Sequence, residues 1–170
     1  MTAQTGVSVQ LGDAEATTAF GRRLAAFLRA GDLVILTGDL GAGKTTLTQG
    51  IGDGLGVRGR VASPTFIIAR EHQPIGDGPG LIHVDAYRLT SIAEVDALDL
   101  DSSLEEAVTV VEWGAGLVEG LAQDRLEIDL VRPRGGRAVD ANEDQPRRVE
   151  LRGIGDRWAG AALHELAERA

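Results

Sequence analysis

The chain has 170 residues, a length that suits one domain, and 43% of them are hydrophobic, enough for a well-buried core without staples. With no cysteine it can form no disulfide, no thiolate nucleophile and no Cys-ligated zinc. Its 26 acidic and 17 basic residues leave a formal charge of −9, so the molecule as a whole repels nucleic acid and any contact with RNA is expected through a partner.

Residues 1 to 10 lack the basic start and the apolar core of a signal peptide, and no apolar run reaches bilayer length. A cytoplasmic protein with one domain over 1 to 170 is expected. Val7, Val9 and Leu11 alternate with polar residues as on a half-buried strand. Asp13 can cap the helix that follows, whose Ala16, Phe20, Leu24, Phe27 and Leu28 mark one apolar face, and Gly31-Asp32 ends it.

The strand 33 to 37 then enters a glycine-rich turn, Gly38-Asp39-Leu40-Gly41-Ala42-Gly43-Lys44-Thr45, that leaves as a helix marked by Leu47, Ile51 and Leu55. Gly38 and Gly43-Lys44-Thr45 fit G-x-x-x-x-G-K-[ST], a phosphate-binding P-loop. Small residues let backbone N–H groups curl around an oxyanion, and the helix N-terminus adds partial positive charge. Lys44 is expected to reach the β/γ-phosphates and the Thr45 hydroxyl to ligate Mg²⁺. Lys44 is also the only lysine in the chain.

Past the run Gly52 to Gly59, Ser63-Pro64-Thr65-Phe66 opens an extended segment to Glu71. Thr65 is either a strand-start residue behind a stiffening Pro64 or a switch-like hydroxyl that watches the γ-phosphate and its metal. Leu81-Ile82-His83-Val84-Asp85 is an apolar strand ending in a carboxylate, the pattern of a Walker B acid; a turn or cap residue is the plainer alternative. Ser91 with Glu94, Ser102 with Glu105 and Ser103 with Glu106 offer capping boxes, so the acids from Glu94 to Glu106 are expected on solvated helix surface.

Val108 to Val111 form a second β-rich run that delivers an acid, Glu112, at the same sheet edge. Glu112 is a candidate to position or deprotonate a water, or to bind metal through its hydration shell; otherwise it merely ends a strand. Trp113 is expected in core packing rather than ligand stacking. A short helical pattern runs from Gly116 through Leu121, and Leu126, Ile128 and Leu130, then Val149 and Leu151, alternate on two strands. Arg132 to Arg148 has almost nothing to bury and is expected as a long mobile hairpin loop, its arginines leaving a lid reading open. Trp158, Leu163 and Leu166 mark a closing amphipathic helix.

The strand-turn-helix at the P-loop, the two strands that end in acids and the closing hairpin point to an α/β fold. With Lys44 already used, no lysine remains for the N-K-x-D segment by which GTPases read guanine, and no LSGGQ-like signature is present. ATP hydrolysis leads. A small-molecule kinase and a nucleotide-gated binding module with negligible turnover are the alternatives.

Thr37 to Thr46, Ser63-Pro64-Thr65-Phe66, His83-Val84-Asp85-Ala86-Tyr87-Arg88-Leu89 and Glu112-Trp113 together resemble, in content and order, the bacterial TsaE family over about residues 12 to 131. The resemblance implies a P-loop NTPase-like three-layer sandwich with a mixed, mostly parallel central sheet flanked by helices and a C-terminal antiparallel hairpin, Mg²⁺-dependent ATP binding with weak hydrolysis, and association with TsaD-like and TsaB-like proteins. Those partners install threonylcarbamoyl on the adenosine next to the anticodon, and tRNA would be met only through that complex. It implies nucleotide contacts from Asp39, Leu40, Gly41, Ala42, Gly43, Lys44, Thr45, Thr46, Thr65 and Trp113. Thr45, Asp85 and Glu112 would lie on the metal side, and Lys44, Asp85 and Glu112 would be in the chemistry. The chain departs from the family at Ala115, where an acid usually stands two positions after the tryptophan.

Overall fold

The computed structural model describes residues 4–38, 43–61, 69–86, 89, 91, 93–94, 97, 104–113, 116, 118–119, 122–131 and 146–169. Its elements in chain order are β1 (Gln4–Leu11), α1 (Ala14–Ala25), β2 (Leu33–Gly38), α2 (Lys44–Leu55), β3 (Ala69–His72), β4 (Gly80–Asp85), β5 (Ala107–Glu112), β6 (Arg125–Val131) and β7 (Arg147–Ile154). A 3₁₀ turn at Asp156–Trp158 and α3 (Ala162–Glu168) follow. The strands form one sheet in the order β1-β7-β6-β2-β5-β4-β3. β6, β2, β5 and β4 are mutually parallel, while β1, β7 and β3 pair antiparallel at the two sides.

Side-chain alternation explains how this sheet is covered. On β2, Val34 and Leu36 face one way, Leu33 and Ile35 the other, and all four are buried, as a central parallel strand requires. The first face meets Phe20 and Leu24 of α1, Leu47 and Ile51 of α2, and Leu163 and Leu166 of α3. The second gathers Ile82, Val84 and Val111 with Leu89, Leu104 and Val118 from the connections.

α1 and α2 touch backbone to backbone. A Cβ at Gly50 would run into the Thr18 carbonyl oxygen, and one at Gly21 would lie 2.6 Å from the Leu47 carbonyl oxygen. Glycine at both positions lets the two helices approach without side-chain padding.

Asp13 caps α1 by accepting the Ala16 N–H at 2.7 Å. The regular helix stops at Ala25, earlier than its apolar stripe suggests. Phe27 and Leu28 are carried on by i→i+3 bonds, and the next N–H, of Arg29, is taken by the Asp32 carboxylate at 2.8 Å. Asp32 also receives Arg157 through two bonds of 3.0 Å, and that guanidinium donates to the Phe27 carbonyl at 2.5 Å and stacks 4.3 Å over Trp158.

The C-terminal hairpin forms as expected, β6 pairing with β7 from Arg125↔Ile154 to Val131↔Arg148. Its second strand begins at Arg147, so the loop expected to run through Arg148 is shorter than that; residues 132 to 145 lie outside the described residues. Ser91 Oγ accepts the Glu94 N–H at 3.3 Å, as its capping box requires, whereas Ser102, Ser103 and most of 114 to 121 also lie outside them. Among the described residues no helix is long and apolar enough to cross a membrane.

Candidate functional site

The site is built at one edge of the sheet. β2, β5 and β4 end side by side, with Leu36 paired to Glu112 and Glu112 to Asp85. Leu81 and Val110 belong to the core under α1 and α2, so the period-two alternation carries His83, Asp85 and Glu112 to that same face. α2 starts above it at Lys44, preceded by Gly43 at φ 109°, a left-handed conformation that suits glycine.

Lys44 is 6% exposed. Its ammonium donates to the Gly38 carbonyl at 2.7 Å and lies 4.2 Å from the Trp113 ring centroid. A buried ammonium demands such contacts, because loss of hydration costs far more than an aromatic face or one carbonyl alone returns. Trp113 is therefore part of the site. It is half-buried rather than a core residue, and it has φ 63°, a left-handed conformation uncommon for so bulky a side chain.

Glu112 is 4% exposed and both carboxylate oxygens are engaged. Oε1 accepts the Thr45 hydroxyl at 3.3 Å, and Oε2 lies 2.5 Å from His83 Nε2. A carboxylate at that distance places the ring proton on Nε2, so the imidazole donates. His83 sits diagonally across the β4–β5 pair, within reach precisely because it shares a face with Glu112 two residues along the register.

The expected residues divide as follows. Gly43, Lys44, Thr45, Asp85, Glu112 and Trp113 come together at this edge, with Thr46 on the first turn of α2. The Thr45 hydroxyl bonds Glu112 on the adjacent strand, while Asp85 ends β4, one strand further from β2. Asp39, Leu40, Gly41, Ala42, Thr65, Tyr87, Arg88 and Ala115 lie outside the described residues. Among the described residues no three His, Cys, Asp or Glu side chains cluster as a cage for an ion. A hydroxyl and two carboxylates are hard oxygen donors of the kind Mg²⁺ accepts while keeping several waters, so the donor set fits that ion.

Two members of the site escaped the sequence reading. His83 appeared there only within a motif, although its spacing from Asp85 already put it on the same face. Arg147, assigned to the loop, opens β7 and is 4% exposed beside Gly43. Its alternation with Val149 and Leu151 was the available signal.

A mixed sheet with parallel central strands, followed after its middle strand by a Gly-Lys-Thr helix and carrying a buried lysine and a two-bonded glutamate at the strand C-termini, defines a protein of the three-layer α/β class. The chain belongs to the TsaE family. The family model "Threonylcarbamoyl adenosine biosynthesis protein TsaE" matches residues 11–139, so β7 and α3 fall outside that match. The chain is 59% identical over 148 residues to a Streptomyces coelicolor protein named tRNA threonylcarbamoyladenosine biosynthesis protein TsaE, covering 86% of this chain and 97% of that one. A Mycobacterium leprae protein of the same name is 53% identical over 127 residues, 71% of this chain and 79% of its own. The crystal structure of Bacillus subtilis YdiB superposes with a TM-score of 0.71 at 31% identity, covering 99% of this chain and 97% of that one.

Proposed function

We propose that the protein is a Mg²⁺-dependent ATP-binding and ATP-hydrolysing subunit that supports threonylcarbamoyladenosine modification of tRNA in complex with TsaD-like and TsaB-like proteins. The observation that carries this reading is the Thr45–Glu112–His83 chain of contacts beside a buried Lys44. It joins a motif lysine and hydroxyl to a carboxylate held in a single orientation.

Lys44 and the N-terminus of α2 supply positive charge for phosphates. Thr45, Asp85 and Glu112 would hold Mg²⁺, which would neutralise charge developing on the phosphate oxygens. Glu112, held at its two oxygens by Thr45 and His83, would act through the hydration shell of that ion, either anchoring it or accepting a proton from an attacking water there. Trp113 covers Lys44 and keeps water from its ammonium. The acidic balance of the chain supports a role in which partners hold the tRNA, inside the cytoplasm.

The test is phosphate release from ATP with Mg²⁺, first by the protein alone and then with the TsaD and TsaB proteins of the same organism. Stimulation by the partners is expected. ATP bound tightly with no release in either setting would replace the ATPase by a nucleotide-gated module, and rapid transfer to an added metabolite would replace it by a kinase.

A further inference from the structure

A pocket of about 220 Å³ lies between α1, the last turns of α2 and residues 57 to 61. It holds the liquid volume of roughly seven waters, room for a small metabolite and too little for a nucleotide. Gly52, in its wall, comes eight residues after Lys44 and so about 12 Å further along α2, away from the strand ends. A Cβ at Gly52 would lie 2.7 Å from Val61 Cγ2, so glycine there lets the segment after the helix fold back and close one side. Val57 and Val61 give the pocket its apolar lining.

The helical wall is rich in acceptors. Thr18 gives its hydroxyl proton to the Ala14 carbonyl at 3.1 Å, which leaves the oxygen to accept. Gln49 donates from Nε2 to the Val61 carbonyl at 2.9 Å, and that bond fixes which end of the carboxamide is nitrogen and leaves Oε1 as an acceptor. Asp53 adds a carboxylate. Its 3.3 Å pair with Arg22 joins side chains that are 60% and 56% exposed, the kind of surface pair that holds its members loosely. Arg60, on the returning segment, brings a guanidinium to the same pocket, and among the described residues it joins no ion pair. Either charge alone would suit many ions. The two together, supplied by different segments of one small pocket, suit a molecule that carries opposite charges a few bonds apart.

We infer that this pocket binds a small free α-amino acid. Its ammonium would meet Asp53, Gln49 Oε1 and the Thr18 hydroxyl, its carboxylate the Arg60 fork, and a short side chain Val57 and Val61. A guanidinium can give a carboxylate two parallel N–H···O bonds, which fixes the orientation of the ligand. The inference does not depend on the nucleotide reading above.

The experiment titrates the full-length native protein with L-alanine and L-valine, up to about 50 mM, and follows the Gln49 side-chain amide and Arg60 Nε–H signals in ¹⁵N-labelled protein. Saturable shifts of both are expected. N-acetyl-L-alanine and L-alaninamide, which each lack one charge, should bind about tenfold more weakly or worse. L-Alanine should lose as much on Arg60→Gln and on Asp53→Asn, two exposed positions whose change leaves the fold intact. Excess Mg²⁺-ATP should leave the alanine shifts in place. No saturable shift with either amino acid overturns the inference, as does binding within about twofold of L-alanine by a blocked form, or within about twofold of native by either variant. Displacement by ATP would put the amino acid in the nucleotide site and overturn a separate pocket.

Discussion

His83 Nε2 and Glu112 Oε2 lie 2.5 Å apart in a region with no solvent exposure on the imidazole side, while the other oxygen of Glu112 accepts the Thr45 hydroxyl. Two strands and a helix are thereby tied through one carboxylate. Replacing Glu112 by Gln should leave ATP affinity within a few-fold and lower turnover by about 10² to 10⁴, the range of a lost general base. His83→Gln should lower turnover by about 10- to 100-fold with KM for ATP little changed, as expected of a positioning residue. The double variant should lose less than the product of the two, which steady-state kinetics on all four proteins would reveal. Multiplicative losses would separate the two residues.

Trp113 should report the state of Lys44. The ring lies 4.2 Å from the ammonium, whereas the other tryptophan, Trp158, is 1% exposed beside Arg157. If Lys44 turns from the Gly38 carbonyl to phosphate, the field on the Trp113 ring changes. A saturable change in tryptophan emission is expected on titration with Mg²⁺-ATP, absent in Trp113→Phe. An unchanged signal with ATP shown to bind by calorimetry would mean that Lys44 keeps its resting contacts.

The glycine-to-backbone seat of α2 on α1 predicts sensitivity to one methyl group. Gly50→Ala should destabilise the fold by about 1 to 3 kcal/mol, although alanine favours helix, because the Thr18 carbonyl has nowhere to go. Thermal melting should show a drop of a few degrees for each kcal/mol in a chain of this size. A midpoint at or above the native value would show that the helices can part at little cost.

The Asp32–Arg157 pair anchors the C-terminal turn to the end of α1. Asp32 is 6% exposed and also holds the Arg29 N–H. Removing its partner in Arg157→Ala leaves a buried carboxylate uncompensated and should cost about 3 to 5 kcal/mol in urea unfolding. Combining it with Asp32→Asn should cost less than the sum of the single changes.

Burial lifts the Asp129 carboxyl above its ordinary value of 3.8; Arg152 opposes this, while Glu150 directly across the hairpin and Glu127 add to it. Such a group binds its proton more readily folded than unfolded. Folded stability therefore falls as pH rises from about 3.8 through the lifted value and stays lower above it. Asp129→Asn should raise the melting midpoint at pH 7, with the gain vanishing once the pH falls below the ordinary value. A gain independent of pH would assign the effect to hydrogen bonding.

Much of this architecture is legible in the sequence. Val34 to Leu36 read as a strand because every residue is apolar, and Asp13 read as a cap because an acid precedes an apolar stripe. The glycine-lysine-threonine segment announced itself by spacing. Arg147 did not, since its alternation with Val149 and Leu151 is a weak mark at the end of a run of Pro, Gly and Arg, and its pairing with Leu11 is what fixes it in a strand. The resemblance places Trp113 in the site, whereas its residue type alone points to core packing. Its place over Lys44 depends on a positive φ at the end of β5, and a backbone turn of that kind leaves no mark in composition.

The close seating of α2 has a mechanical meaning. Lys44 and Thr45 ride on the end of a rod whose flank rests on another rod, with no compressible side chain between them at Gly21 and Gly50. A tug on that end cannot be absorbed at the joint. A displacement there would be shared with α1, which follows β1 at the opposite margin of the sheet from β4 and β5.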